Sequence, residues 1–238
     1  MRRLVTIGTI VFVVTMAVSA SFALPPREYG WEKYRPRADC PREPCRATGR
    51  TTGFQVRQQK TRGGEVRMMP TKARRRNGWL VAFSLTLGKP NKKQIRFFNR
   101  LWGGPAQVRV TILDPKPRKP GSRRRHKWRF RVHNQSRPIN ITSFFGKKAW
   151  FTLKQRMHVE RRHVIALTIP TWAPVLATDL PGKERWRSSR PKGRCNKLRN
   201  HTARQEVGKI RYWRCLHSTA RLLFTGLVVR KTPEAKSR

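Results

Sequence analysis

Acidic residues are scarce in this chain: 238 residues carry only 11 Asp and Glu against 56 Lys and Arg. Asp39, Glu65, Asp114, Glu160, Asp179, Glu184 and Glu206 read as scattered singly along the sequence. Catalysis by a carboxylate pair needs two acids within about 5 to 10 Å of each other, and no spacing here encodes one. Other catalytic signatures are missing too. No G-x-S-x-G elbow presents a serine nucleophile, and Gly88 with Lys89 lacks the upstream glycine of a phosphate-binding loop. His158 and His163 are five positions apart on a stretch that reads as a hairpin turn, whereas a helical zinc pair needs a spacing of four. They read as two solvent-facing histidines, and neither a metal nor a cofactor is expected. The sequence carries no enzyme signal.

Long apolar runs are equally scarce. The exception is at the N-terminus, where Arg2 and Arg3 precede an apolar stretch from Leu4 to Val18. Ser21, Phe22 and Ala23 then fit a small-x-small cleavage site, with Val18, Ser19 and Ala20 as a second candidate. Residues 1–23 are therefore expected to be a signal peptide and the protein to be secreted or associated with the cell surface. The run is short for a membrane span, which leaves an uncleaved anchor as the lesser alternative.

Cysteine is sparse but even in number: Cys40, Cys45, Cys195 and Cys215. In an exported chain this points to disulfides, and four cysteines allow three pairings. The favoured set is Cys40 with Cys45 and Cys195 with Cys215, the two crossed sets remaining open. A zinc knuckle fits less well, because its second pair is closely spaced and here those two are 20 positions apart.

What is abundant is positive charge. The formal net charge is +45, distributed along the whole chain, so the surface attracts polyanions with a strength that falls as salt is added. Arg outnumbers Lys about two to one, which a GC-rich genome would also produce, so the excess reads equally as composition and as selection for polyanion binding. Arg74, Arg75 and Arg76 form one cluster at a strand edge; Arg123, Arg124 and Arg125 form another in the cationic connection from Pro115 to Lys127. The planar guanidinium matches phosphate, sulfate or carboxylate oxygens two at a time. These six are the candidate polyanion-binding residues.

The remaining pattern is that of short strands. Residues 24–53, rich in Pro, Arg and Gly, read as an irregular arm. From Phe54 onward apolar residues alternate. Trp79, Val81, Phe83, Leu85 and Leu87 share one face, Val108, Val110 and Ile112 another, and Trp128, Phe130 and Val132 a third, interleaved with Arg129, Arg131 and His133. Further strands are expected around Phe151 to Val159, Val164 to Ile169 (ended by Pro170), Ile210 to Trp213 and Ala220 to Val229, the last with a bulge at Gly226. A short helix fits Asn91 to Arg100. Asp179 to Gly208 reads as one long loop. The pattern predicts an all-β fold, an antiparallel jelly-roll-like β-sandwich over residues 54–230, followed by a polar tail at 231–238. Of eight tryptophans, Trp79 and Trp128 are in phase with the core. Trp172 and Trp186 fall at a strand end or in a loop and are the candidates for stacking on carbohydrate.

The stretch from Val164 to Pro174 (VIALTIPTWAP) resembles a segment of uncharacterised exported β-sandwich proteins of actinobacteria. So do Trp186 to Arg190 (WRSSR), the pair Cys195 and Cys215, and Ala220 to Thr225 (ARLLFT). The likeness covers roughly residues 65 to 230 and implies a secreted sandwich with no assigned activity. Where those proteins turn on a Gly-Asp pair, this chain has Arg161, Arg162 and His163. Two functions are compatible with these features. One is a non-catalytic extracellular module adhering to anionic cell-envelope polymers; the alternative is a polysaccharide-binding or polysaccharide-processing accessory domain using exposed Trp. Nucleic acid is electrostatically suitable but conflicts with export.

Overall fold

A computed structural model describes residues 27–29, 37–60, 66–70, 77–116, 128–181, 184–191, 193–195 and 205–230. For 27–29, 57–60, 66–70 and 230 it describes the backbone only. The expected signal peptide, the expected polar tail and both nominated arginine clusters lie outside these residues.

The strands in chain order are β1 (Arg27–Tyr29), β2 (Thr48–Lys60), β3 (Val66–Pro70), β4 (Gly78–Thr86), β5 (Gln107–Pro115), β6 (Arg129–Gln135), β7 (Ile139–Asn140) and β8 (Lys148–Val159). They continue with β9 (Val164–Ala173), β10 (Leu176–Ala177), β11 (Arg185–Ser188), β12 (Ile210–Tyr212), β13 (Cys215–Ser218), β14 (Arg221–Leu222) and β15 (Phe224–Arg230). One helix, α1 (Lys92–Trp102), follows β4, and a 3-10 turn at Thr142–Phe144 precedes β8. The strands form a four-stranded sheet ordered β1-β15-β4-β8, a two-stranded pair of β10 and β14, and a large sheet ordered β12-β6-β5-β9-β2-β11-β13, with β3 beside β2 and β7 beside β5. All pairings are antiparallel. The fold is an all-β sandwich.

The main core fills the space between the sheets. Leu80, Phe83 and Leu85 of β4 and Phe151 and Met157 of β8 meet Val108, Val110 and Ile112 of β5 and Leu167 and Ile169 of β9. Each such side chain contributes roughly 1.5 to 3 kcal/mol on leaving water. The large sheet also buries part of its outer face. There Phe54, Phe130, Val132, Leu113 and Val164 pack under Trp213, which is fully buried. Trp213 arrives on the segment from Gln205, whose carbonyl accepts from Arg109 Nη2. Period-two alternation along β6 is thus real, with Phe130 and Val132 buried and Arg131 partly exposed, but it faces this second core.

The expected arm ends earlier than residue 53. Thr48 to Gly53 belong to β2, the neighbour of β9 and β11 in the large sheet. The segment lacks apolar residues for two physical reasons. Its threonines join a hydroxyl ladder, Thr52 to Thr168 and Thr168 to Thr111 at 2.6 Å each. Its glycines lie under indoles: a Cβ on Gly49 would stand 2.5 Å from Trp102, and one on Gly53 would stand 2.7 Å from Trp186. β1, also within the expected arm, pairs with β15.

Other boundaries shift as well. A bulge at Val81 reverses the phase of β4, so Leu80 points inward and Trp79 outward. Pro170 does not end β9, which runs on to Ala173 past an irregularity against β2. The loop from Asp179 to Gly208 contains β11, an interior strand. The last expected strand divides at Leu223 into β14 and β15. Gly226 is not bulged. It pairs with Phe83, and an added Cβ would touch Leu80 and Ile165 at 3.0 and 3.1 Å. The helix forms where expected, Asn91 and Gln94 making a reciprocal capping box.

Candidate functional site

Both disulfides form as favoured, Cys40 with Cys45 and Cys195 with Cys215. The second closes a 20-residue separation and is worth about 3 kcal/mol in the chain-entropy picture. The first anchors a segment whose buried Asp39 accepts from the Thr178 backbone at 3.0 Å, the Thr178 hydroxyl at 2.9 Å and Arg42 at 2.9 Å.

The nominated carbohydrate-stacking residues are in the core. Trp172 is 1% exposed, its indole N–H donating to Asn99 Oδ1 at 2.8 Å, and Trp186 is 3% exposed. Neither offers a face to solvent. The reason is the strand extension described above: Trp172 lies within β9 and Trp186 within β11, each filling space left by a glycine or a helix in the neighbouring element. Conversely, Trp79 and Trp128, expected inside, are half-exposed and carry guanidinium groups over their rings, Arg156 at 4.4 Å and Arg187 at 4.0 Å.

Around Trp186 the chain brings together groups that resemble a catalytic pair. Ser188 Oγ lies 3.0 Å from His217 Nε2, and the imidazole stacks on the Trp186 ring with centroids 4.1 Å apart. Ser188 is wholly buried. Burial, then Arg190, then Arg187, holds His217 down to about 4, so the imidazole is neutral at ordinary pH. Arg190 donates to the carbonyls of Gly49 and Cys195, and Arg187 donates to those of Trp213 and Arg214. Burial lowers Arg187 to about 10. These cations clamp the loop ends to the sheet, and of the Ser188–His217 pair the serine is buried and the histidine partly exposed.

His163 is also inside, 3% exposed, contrary to the expected pair of solvent-facing histidines. The hairpin itself is as expected, β8 to β9, but it tucks His163 under His133, centroids 4.6 Å apart, with Nδ1 accepting from the Glu160 backbone. Among the described residues no group of His, Cys, Asp and Glu is arranged to hold a metal.

Free cations gather instead where β4 runs into α1 and where the 3-10 turn runs into β8. The Leu87 N–H donates to the Lys147 carbonyl, and the Gly146 N–H donates to the Gly88 carbonyl, so Lys89 and Lys147 are brought beside each other. Lys92 and Lys93 open the helix, and Lys93, Arg96, Phe97 and Arg100 follow at i, i+3, i+4 and i+7 on its solvent side. Phe97 is 55% exposed amid them. Among the described residues no ion pair engages Lys89, Lys92, Lys93, Arg96, Arg100 or Lys147. Other carboxylates are committed elsewhere, Asp114 to Lys116 and Arg131, Asp179 to Arg46 and Glu184 to Arg221, while Glu43 stands at α1 itself and accepts from the Gln94 amide. Lys92 and Lys93 also oppose the helix macrodipole, whose N-terminal end favours anions. The helical periodicity of this stripe is present in the sequence, where its spaced cations stand out less than the consecutive arginine runs.

No family model matches the chain, and no curated protein and no solved structure is detectably similar to it.

Proposed function

We propose that the protein is a non-catalytic, secreted β-sandwich module that adheres to anionic polymers of the cell envelope through its surface Lys and Arg. The observation that carries this reading is the α1 stripe with Lys89 and Lys147: six cations that make no ion pair among the described residues, two of them where they oppose the helix dipole. Export is supported by the N-terminal leader pattern together with the two disulfides. Among the described residues no helix is long and apolar enough to cross a membrane. The stripe adds to the arginine clusters at Arg74 to Arg76 and Arg123 to Arg125, which belong to the β3–β4 and β5–β6 connections.

The test is a salt titration of binding to heparin and to an anionic wall polymer. Retention at 50 mM NaCl that disappears near 0.5 M is the expected result, because screening there confines surface charge to a reach of about 4 Å. In a Lys93→Ala/Arg96→Ala/Arg100→Ala variant the slope of log affinity against log salt becomes shallower, by about one for each phosphate or sulfate group that is no longer neutralised. Failure of the native chain to bind either polymer at low salt would refute the proposal.

A further inference from the structure

The four-stranded sheet turns one face to the core, and its other face carries an unusual combination of side chains. On the edge strand β8, Lys148, Trp150 and Thr152 point outward, opposite Thr86, Ser84 and Ala82 of β4. Thr225 and Leu227 of β15 continue the rows. Trp150 is 44% exposed, although Phe151 beside it is already inside the core. Of the outward positions of β4 past the bulge, Ala82 and Ser84 are small and buried, and hydroxyl groups reach solvent at Thr86, Thr152 and Thr225. At the far end, roughly 15 Å along β4 at the usual rise per residue, Trp79 faces outward opposite His158. Each indole has a cation over it: Lys148 at 5.8 Å from Trp150 and Arg156 at 4.4 Å from Trp79.

Each component favours one ligand chemistry. A flat indole receives the C–H face of a pyranose ring, and the accessible threonine hydroxyls match sugar hydroxyls. A cation beside each ring selects for acidic substituents. A lipid surface would call for several protruding apolar side chains, and a polyphosphate offers nothing to stack. We infer that this face binds an anionic polysaccharide, with Trp150 stacking on a sugar ring while Lys148 and Arg156 pair with its carboxylates or sulfates. The inference rests on the adhesion reading above and gives it a site and a polymer class.

The experiment uses the full chain with both disulfides intact and measures affinity for polygalacturonate (carboxylate), dextran sulfate (sulfate), neutral dextran and inorganic polyphosphate at 150 mM NaCl. Trp150→Ala is expected to weaken binding to one or both acidic polysaccharides at least tenfold and Trp150→Phe by less, with polyphosphate changed less than twofold. The polymer whose affinity falls identifies the acidic group. Neutral dextran is expected to bind weakly or not at all, and equal affinity for it would overturn the role of the cations. If Trp150→Ala leaves both acidic polysaccharides within twofold, the sugar site is wrong while charge-driven adhesion stands. If the native chain binds none of the polyanions, both readings fall together.

Discussion

His217 sits between a serine hydroxyl and an indole, and its proton affinity is a property of that setting. Its folded value of about 4 lies below the ordinary 6.5, through burial first and the neighbouring Arg190 and Arg187 second. The unfolded chain therefore binds the proton more readily. The stability this neutral histidine contributes is complete above pH 6.5 and is lost as pH falls toward 4, to a total of about 3 kcal/mol at most. Denaturant midpoints at pH 7 and pH 4.5 measure it: the native chain should lose about 2 to 3 kcal/mol more than His217→Gln. His163 is lowered in the same sense by burial and His133, but it is present in both proteins and cancels in the difference. An identical loss in the two would remove His217 from the account. Gly53 illustrates a steric requirement at the same scale. A methyl group there would meet Leu222 at 2.6 Å and the Trp186 ring at 2.7 Å, both of them buried. Gly53→Ala should cost about 1 to 3 kcal/mol in urea unfolding, and a neutral result would show that β11 can shift.

At the scale of elements, helix α1 sets stability against binding. Lys92 and Lys93 occupy the turn where anions are favoured, so Lys92→Glu/Lys93→Glu should raise the unfolding free energy by about 0.3 to 1 kcal/mol while weakening polyanion binding. A variant that neither gains stability nor loses affinity would show that these lysines are incidental. The helix was legible from the clustering of Ile95, Phe97 and Phe98, although it runs two residues beyond the expected Arg100. So were β6, where buried and partly exposed residues alternate, the first half of β5, up to the irregularity after Ile112, and both disulfides. What escaped the sequence follows from long-range packing. β2 and β11 look like loop because their neighbours supply the bulk: Trp102 and Trp186 occupy what would be side-chain space on Gly49 and Gly53. The bulge at Val81 moved Trp79 from core to surface, and strand extension moved Trp172 and Trp186 from surface to core. Trp150 was open to detection, since Ala149, Phe151 and Leu153 alternate with Lys148, Trp150 and Thr152, a plain period of two that places the tryptophan with the polar side.

The molecule as a whole carries +45, and its few described acids are mostly occupied in holding segments together, as Asp39 holds Thr178 and Asp114 holds Arg131. Little internal neutralisation is left for the rest of the surface, so the folded state works against its own repulsion. Two consequences follow, and they differ. Raising NaCl screens that repulsion over a Debye length that falls from about 20 Å at 20 mM to about 4 Å at 0.5 M, and the thermal midpoint should climb with it. A bound polyanion stabilises by mass action instead, as RT ln(1 + [L]/Kd), about 2.7 kcal/mol at a hundredfold excess over Kd. Added at 20 mM NaCl, dextran sulfate should therefore raise the midpoint above the value reached with salt alone, and the gain should vanish when 0.5 M NaCl is present as well. Neutral dextran should do nothing at either salt concentration. A midpoint indifferent to both salt and polymer would mean that the positive surface is diffuse enough to impose no strain and to capture no ligand, leaving the charge as a matter of composition.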